Sequence, residues 1–306
     1  MPATRDPTTA PVSACRPAAC GSGSSGSHEA TDDPAAKNSG GPIRRGGTLR
    51  AGSPPPPTAV DPVTAYDGTS VALIQLVAEY LIWLDKDFKL VPKLATGWKS
   101  DAKAVTWTFT LRKGVTFSDG TPLDSEAVKA GFDRLLDPKN KSSALSAFAT
   151  ILEPGGVSAP DAGTVVFTLK RPFSDFPYLV SAGNYNTVIL KKDYAGNFTK
   201  SALGTGPFLL KTYDVATGAS FVRNPRYWGA PKPYLDGVNV AFYADDQADL
   251  VALQSGGIDA QLLSRANLVQ PLADAGGISV DRVRGTGVTV LTLRVDKTPQ
   301  RARSLA

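Results

Sequence analysis

The sequence predicts a mixed α+β fold built from many short strands and few long helices. Three observations carry this. Val105, Trp107, Phe109 and Leu111 alternate with Thr106, Thr108 and Thr110, the period of a strand with one apolar and one polar β-branched face. Asp124 precedes a stretch in which Val128, Phe132 and Leu135 share a helical face, and Asp137-Pro138 ends that stretch. Strand-like runs recur at 164–169, 188–190, 208–213, 220–223 and 238–243, interleaved with segments of helical spacing.

Taken in order, residues 1–45 are rich in Ala, Pro, Gly, Ser, Thr and Asp and nearly free of large apolar side chains. Burial there cannot offset the entropy cost of ordering, so this leader is expected to be disordered. Within it, Ala18-Ala19-Cys20-Gly21 followed by a Gly/Ser-rich tether looks like a bacterial lipobox, with Cys20 as the candidate lipidation site. The alternative is an ordinary disordered leader. Met1 to Pro17 is polar and lacks the apolar segment that secretion requires, so export is expected to fail as written and the chain to stay cytosolic.

The folded body opens with a short strand at Gly46 to Gly52, followed by Pro54, Pro55, Pro56 and Pro57. Four prolines favour extended polyproline geometry, which suits either a stiff connector or a ligand-contacting segment. Apolar positions at Val71, Ile74, Leu76, Val77, Tyr80 and Leu81 predict a buried helix over 69–84. After the 105–111 strand, Arg112-Lys113-Gly114 turns the chain into Val115-Thr116-Phe117, and Asp119-Gly120-Thr121-Pro122 supplies a tight turn. Asp245 to Gln254 reads as a helix closed by Gly256-Gly257, with a second helix at 268–275 and strands at 278–283 and 288–295.

With 306 residues, 42% hydrophobic and 20% charged, the chain can bury a substantial core. The net charge of +5 is spread out and never forms a basic run that would track a phosphate backbone, which argues against nucleic acid. No stretch approaches the ~20 apolar residues of a membrane-spanning helix. The cysteines, Cys15 and Cys20, and the one histidine, His28, all lie in the leader. The body therefore has no thiol nucleophile, no imidazole base and no Cys/His metal set. Asp119, Asp124, Asp245 and Asp246 sit at turns and helix starts, as expected of scaffold rather than of convergent acid and base groups. No catalysis, cofactor or metal is expected.

Three segments are specific when read together. They are Trp107 to Pro122; Gly204-Thr205-Gly206-Pro207-Phe208 running on to Arg223-Asn224-Pro225-Arg226-Tyr227-Trp228-Gly229; and Pro233-Tyr234-Leu235-Asp236-Gly237-Val238 followed by Leu253-Gln254-Ser255-Gly256-Gly257-Ile258-Asp259. In this order they resemble the family 5 solute-binding proteins of bacterial ABC importers, which include dipeptide-, oligopeptide- and nickel-binding proteins. The resemblance covers about residues 46–299.

The resemblance implies the first lobe of a two-lobe periplasmic-binding-protein-like fold (type II, cluster C), a mixed sheet with flanking helices. The domain at 46–299 would carry an inserted sub-region at about 65–200, and an aberrant stub at 300–306 would stand where the second lobe should begin. It also implies an extracytoplasmic substrate-binding component for a peptide-like solute, partnered by an ABC permease and touching the membrane only through a lipid anchor. In such a family the pocket is lined by loops leaving the first strand and by the segment crossing to the second lobe. Here these are Ser53 and Pro54 to Pro57, and Thr286 and Gly287. Trp107, Tyr227 and Trp228 read as core or near-core aromatics whose polar tips find partners, and Arg112 and Asp119 as residues fixing the hairpin.

Two features narrow the solute. Prolines have no N–H donor, so the 54–57 loop offers a ligand only carbonyls, which weakens a peptide assignment. The absence of His and Cys ligands from the body argues against nickel. One lobe alone is expected to bind no solute tightly. A surface scaffold or interaction module, or a non-functional gene fragment, is the competing reading.

Overall fold

A computed structural model describes residues 43–201 and 203–262. In chain order, β1 (Thr48–Ser53) leads through the proline loop to α1 (Gly68–Val77), and β2 (Ile82–Leu84) and β3 (Leu90–Pro92) follow as an antiparallel pair. Then come β4 (Ala95–Ser100), β5 (Thr106–Leu111), α2 (Ser125–Leu136), the one-turn α3 (Leu145–Phe148), β6 (Val157–Asp161) and β7 (Thr164–Thr168). Two more short helices, α4 (Phe176–Leu179) and α5 (Phe198–Ser201), precede β8 (Phe208–Asp214), β9 (Gly218–Arg223), β10 (Gly237–Phe242), α6 (Asp246–Gln254) and β11 (Ala260–Gln261).

These strands form two larger sheets. The order β4-β5-β7-β6 is antiparallel throughout. The order β11-β1-β10-β9-β8 is mixed, with β1 parallel to both β10 and β11 and the rest antiparallel. The mixed sheet with flanking helices is the architecture the sequence predicts.

Local chemistry explains most of the elements. The apolar side of the alternating segment, Trp107, Phe109 and Leu111, is buried in β5. Phe109 meets Phe167 of β7 edge-on, and Phe167 meets Phe132 of α2 in the same way, so α2 packs across this sheet. Asp124 caps α2 by accepting from the Ala127 N–H at 2.9 Å, and Asp245 caps α6 by accepting from that of Ala248 at 2.8 Å. β6 contains Pro160 and lies at a sheet edge, where a missing N–H costs nothing.

Some expectations change. The helix predicted over 69–84 ends at Val77, because Ala78 turns extended and Glu79 pairs with Ile189 in a bridge. Val188 to Leu190 is not a regular strand but holds single bridges, Ile189 with Glu79 and Leu190 with Gly204. The Trp107 indole N–H finds no partner, contrary to expectation, whereas that of Trp228 donates to Glu79 at 2.7 Å. Arg112 does not fix its own hairpin. Its Nε donates to the Lys93 carbonyl at 2.9 Å and its guanidinium lies 4.8 Å from the Trp228 ring centre. The helix expected at 268–275 and the strands at 278–283 and 288–295 lie outside the described residues.

Asp119 does hold its turn, accepting from the Thr121 N–H at 2.9 Å and pairing with Lys191 at 2.9 Å. Burial works against the charge, but the Thr121 amide and Lys191 prevail and hold this carboxyl down at about 2. A carboxyl lowered by folding contributes stability that is complete above its ordinary value near 4 and is lost as pH falls through about 2. Urea midpoints measured from pH 5 to pH 2 are expected to fall less steeply in Asp119→Asn than in the parent, and equal slopes would count against this role.

Candidate functional site

In an open sheet with parallel strands, ligands collect where the strands end and the following helices begin. Here β1 ends at Ser53, β10 at Phe242 and β11 at Gln261, all running the same way. α1 starts close by, capped by Asp67, whose Oδ1 accepts from the Ser70 N–H at 2.8 Å. Phe242 packs edge-on against Tyr213 of β8, and burial, then Asp67 and Asp214, push the Tyr213 phenol up.

The loop joining β1 to α1 is pinned at several points. Ser53 is fully buried, and its hydroxyl lies 2.7 Å from that of Thr69, which donates to the Pro54 carbonyl at 2.9 Å. Pro55 and Pro57 are exposed, Pro54 is partly covered and Pro56 is buried. Further on, the buried Asn186 amide donates to the carbonyls of Pro62 and Ala65 at 2.7 and 2.9 Å. The Ser143 amide and hydroxyl donate to the carbonyls of Val63 and Thr64. Asp61 accepts from the Val63 N–H and from the Tyr194 hydroxyl, which burial and then Asp61 hold well above the ordinary tyrosine range. With these carbonyls occupied, the loop is a rigid wall that leaves Tyr66 standing out, 60% exposed.

The same hydrogen bonds place a cleft of about 440 Å³ alongside the loop. One wall is Ser143, Ala144 and Ala147, and the other comes from residues between 173 and 186. Tyr178 and Tyr185 remain substantially exposed there. The Tyr185 backbone is held by buried Tyr80, whose hydroxyl accepts from Gln75 and donates to the Tyr185 carbonyl; burial pushes this phenol up to about 12.

Three sheltered polar atoms along this face have no hydrogen-bond partner: Asp67 Oδ2, Ser70 Oγ and Asn184 Nδ2. Buried polar groups are rarely left so, and each needs a small local opening before a ligand or a water molecule can pair with it. Among the described residues no group of three or more His, Cys, Asp or Glu side chains could hold a metal ion, and no helix is long and apolar enough to cross a membrane.

Of the residues singled out in the sequence, Ser53 and Pro54 to Pro57 lie at the end of β1 and are not among the residues lining the cleft, and the Ser53 hydroxyl is turned to Thr69. Thr286, Gly287 and Cys20 lie outside the described residues. The 143–147 and 173–186 walls escaped sequence reasoning. Their only signal is Gly183-Asn184-Tyr185-Asn186, which reads as a turn.

A mixed sheet whose parallel strands end beside a helix start, accompanied by a second, antiparallel sheet, is the layout of a lobe of a periplasmic binding protein. Residues 89–304 match the family model described as bacterial extracellular solute-binding proteins, family 5 middle. The chain belongs to this family of bacterial extracellular solute-binding proteins, which are binding proteins rather than enzymes.

Among curated proteins it is similar to the probable D,D-dipeptide-binding periplasmic protein of Escherichia coli K12, with 33% identity over 213 residues, 67% of this chain and 40% of that protein. The glutathione-binding protein of Salmonella paratyphi A is 32% identical over 65% of this chain and 39% of its own length. The chain thus spans about 40% of these relatives. Solved structures agree. The Escherichia coli murein tripeptide binding protein superposes with a TM-score of 0.66 at 27% identity, covering 76% of this chain and 48% of that one. The periplasmic binding protein DppA of Helicobacter pylori, in complex with the peptide STSA, gives 0.65 at 26% identity, covering 76% and 49%.

Proposed function

We propose that this chain supplies the first wall of the solute site in the substrate-binding component of an ABC importer, which takes a peptide or a similar small polar solute outside the cytoplasm and delivers it to a permease. The observation that carries the reading is the cleft beside the pinned β1–α1 loop, whose lining includes the exposed rings of Tyr178 and Tyr185 and Asn184, with its unpartnered amide nitrogen. A ligand rich in amides supplies both donors and acceptors to such a lining, and tyrosine faces accept its side chains. Relatives whose names mention dipeptides, glutathione and a murein tripeptide support the same chemistry. Ser53 acts through Thr69, setting the loop that carries Tyr66.

A single wall leaves one side of the ligand hydrated. A few hydrogen bonds of about 0.5–1.5 kcal/mol net each fall short of the ~8 kcal/mol of micromolar affinity, so weak binding is expected. Amide chemical-shift mapping of the 306-residue chain with trialanine at millimolar concentration tests the reading. Shifts are expected in 62–70, 143–147 and 183–187, and none at the far edge strand β6. Unchanged spectra across the first three segments would reject it.

A further inference from the structure

The cleft beside Asn184 carries charge of one sign. Its lining includes Asp175, the aromatic rings of Phe173, Tyr178 and Tyr185, and no lysine or arginine. Asp175 is exposed just ahead of α4, and its carboxylate neither caps that helix nor joins an ion pair with a described residue. The cations nearest in sequence are engaged elsewhere: Arg171 donates to the Thr150 carbonyl, and Lys170 pairs with Glu153. An unneutralised carboxylate among aromatic rings attracts ammonium or guanidinium groups, through charge and through the negative ring faces, while the rings and Leu179 offer cover for an aliphatic stem.

We propose that the cleft between 143–147 and 173–186 is a subsite for a cationic side chain, a primary ammonium or a guanidinium carried on an aliphatic stem, so that the solute is a basic peptide. This rests on the solute-binding reading above. Asp175 provides the charge, and Phe173, Tyr178 and Tyr185 provide the box. Negatively charged side chains are disfavoured at the same place.

The test is ligand-observed NMR titration of the 306-residue chain with Ala-Lys-Ala, its uncharged analogue Ala-norleucine-Ala, which keeps the aliphatic stem, Ala-Glu-Ala, and free 1,5-diaminopentane. Ala-Lys-Ala is expected to bind about fivefold to tenfold more tightly than the norleucine peptide at low salt, the combined effect of one partly exposed charge pair and a cation–ring contact. The preference is expected to shrink in Asp175→Asn, whose exposed position leaves folding untouched, and in high salt. Equal affinity of the lysine and norleucine peptides, or a lysine preference that survives Asp175→Asn, overturns the subsite and leaves the peptide-binding reading in place. Diamine binding that depends on Asp175, with no peptide binding, supports the subsite and overturns the peptide reading. Absence of binding by every probe overturns both.

Discussion

Replacing Glu79 with alanine is expected to lower the stability of the chain by about 3–5 kcal/mol, the range for removing one partner of a buried ion pair. Glu79 is 5% exposed and accepts from four donors. Oε1 receives Lys93 at 3.0 Å and the Tyr227 hydroxyl at 2.9 Å; Oε2 receives the Thr205 hydroxyl at 2.8 Å and the Trp228 indole at 2.7 Å. Lys93 also lies 5.1 Å from the Trp228 ring centre, so losing the carboxylate leaves a half-buried ammonium among rings with no counter-charge. These partners come from the β3–β4 junction, the segment before β8 and the segment after β9. The carboxylate therefore ties the aromatic core around Phe109 and Phe167 to the second core around Tyr80 and Phe221.

Glu79→Gln sharpens the test. A hydroxyl can rotate to accept from the new amide, but the Lys93 ammonium and the Trp228 indole can only donate. Either orientation of the glutamine therefore sets an N–H against one of those two donors. A loss of about 2–3 kcal/mol is expected, read as a lower urea midpoint at unchanged slope. A glutamine variant as stable as the parent would show that the network contributes nothing net.

Much of this arrangement is written locally in the sequence. β5 is legible because alternation is a property of six consecutive residues, and α2 and α6 are legible because Asp124 and Asp245 cap them from within the same segment. The end of α1 is not. The apolar spacing runs on to Leu81, and what stops the helix at Val77 comes from residues more than a hundred positions away. β4 is hidden for a similar reason, since Ala95-Thr96-Gly97-Trp98-Lys99-Ser100 has no apolar run and becomes a strand by pairing with β5. The candidate site divides in the same way. The proline loop after β1 is conspicuous in sequence, whereas Asn186 looks like any turn asparagine until its two carbonyl partners at Pro62 and Ala65 are known.

The motif Gly204-Thr205-Gly206 shows how such a distant constraint is enforced, and Gly204→Ala is expected to be strongly destabilising. A Cβ on Gly204 would stand 2.1 Å from the Val77 carbonyl oxygen, and one on Gly206 would stand 2.5 Å from the Val77 carbonyl carbon. Both obstacles are backbone at the last turn of α1, so no side-chain rotation relieves them. The Gly206 N–H donates to that same Val77 oxygen at 2.8 Å, which both closes the helix end and fixes the distance. Neither glycine has the left-handed backbone that would itself penalise alanine, so the expected cost is steric. Pushing the segments apart breaks this hydrogen bond and the Leu190–Gly204 bridge and disturbs the Thr205 contact with Glu79. A loss of about 3–5 kcal/mol is expected, in the upper range for strain inside a packed core. Gly97→Ala is the control, because nothing lies within 4 Å of its added Cβ, and it is expected to be neutral or slightly stabilising. Denaturant unfolding of the two variants side by side decides the matter: a Gly204→Ala chain within about 1 kcal/mol of the parent, a typical cost for an unexceptional substitution, would mean that the close approach of these segments is not what ends α1.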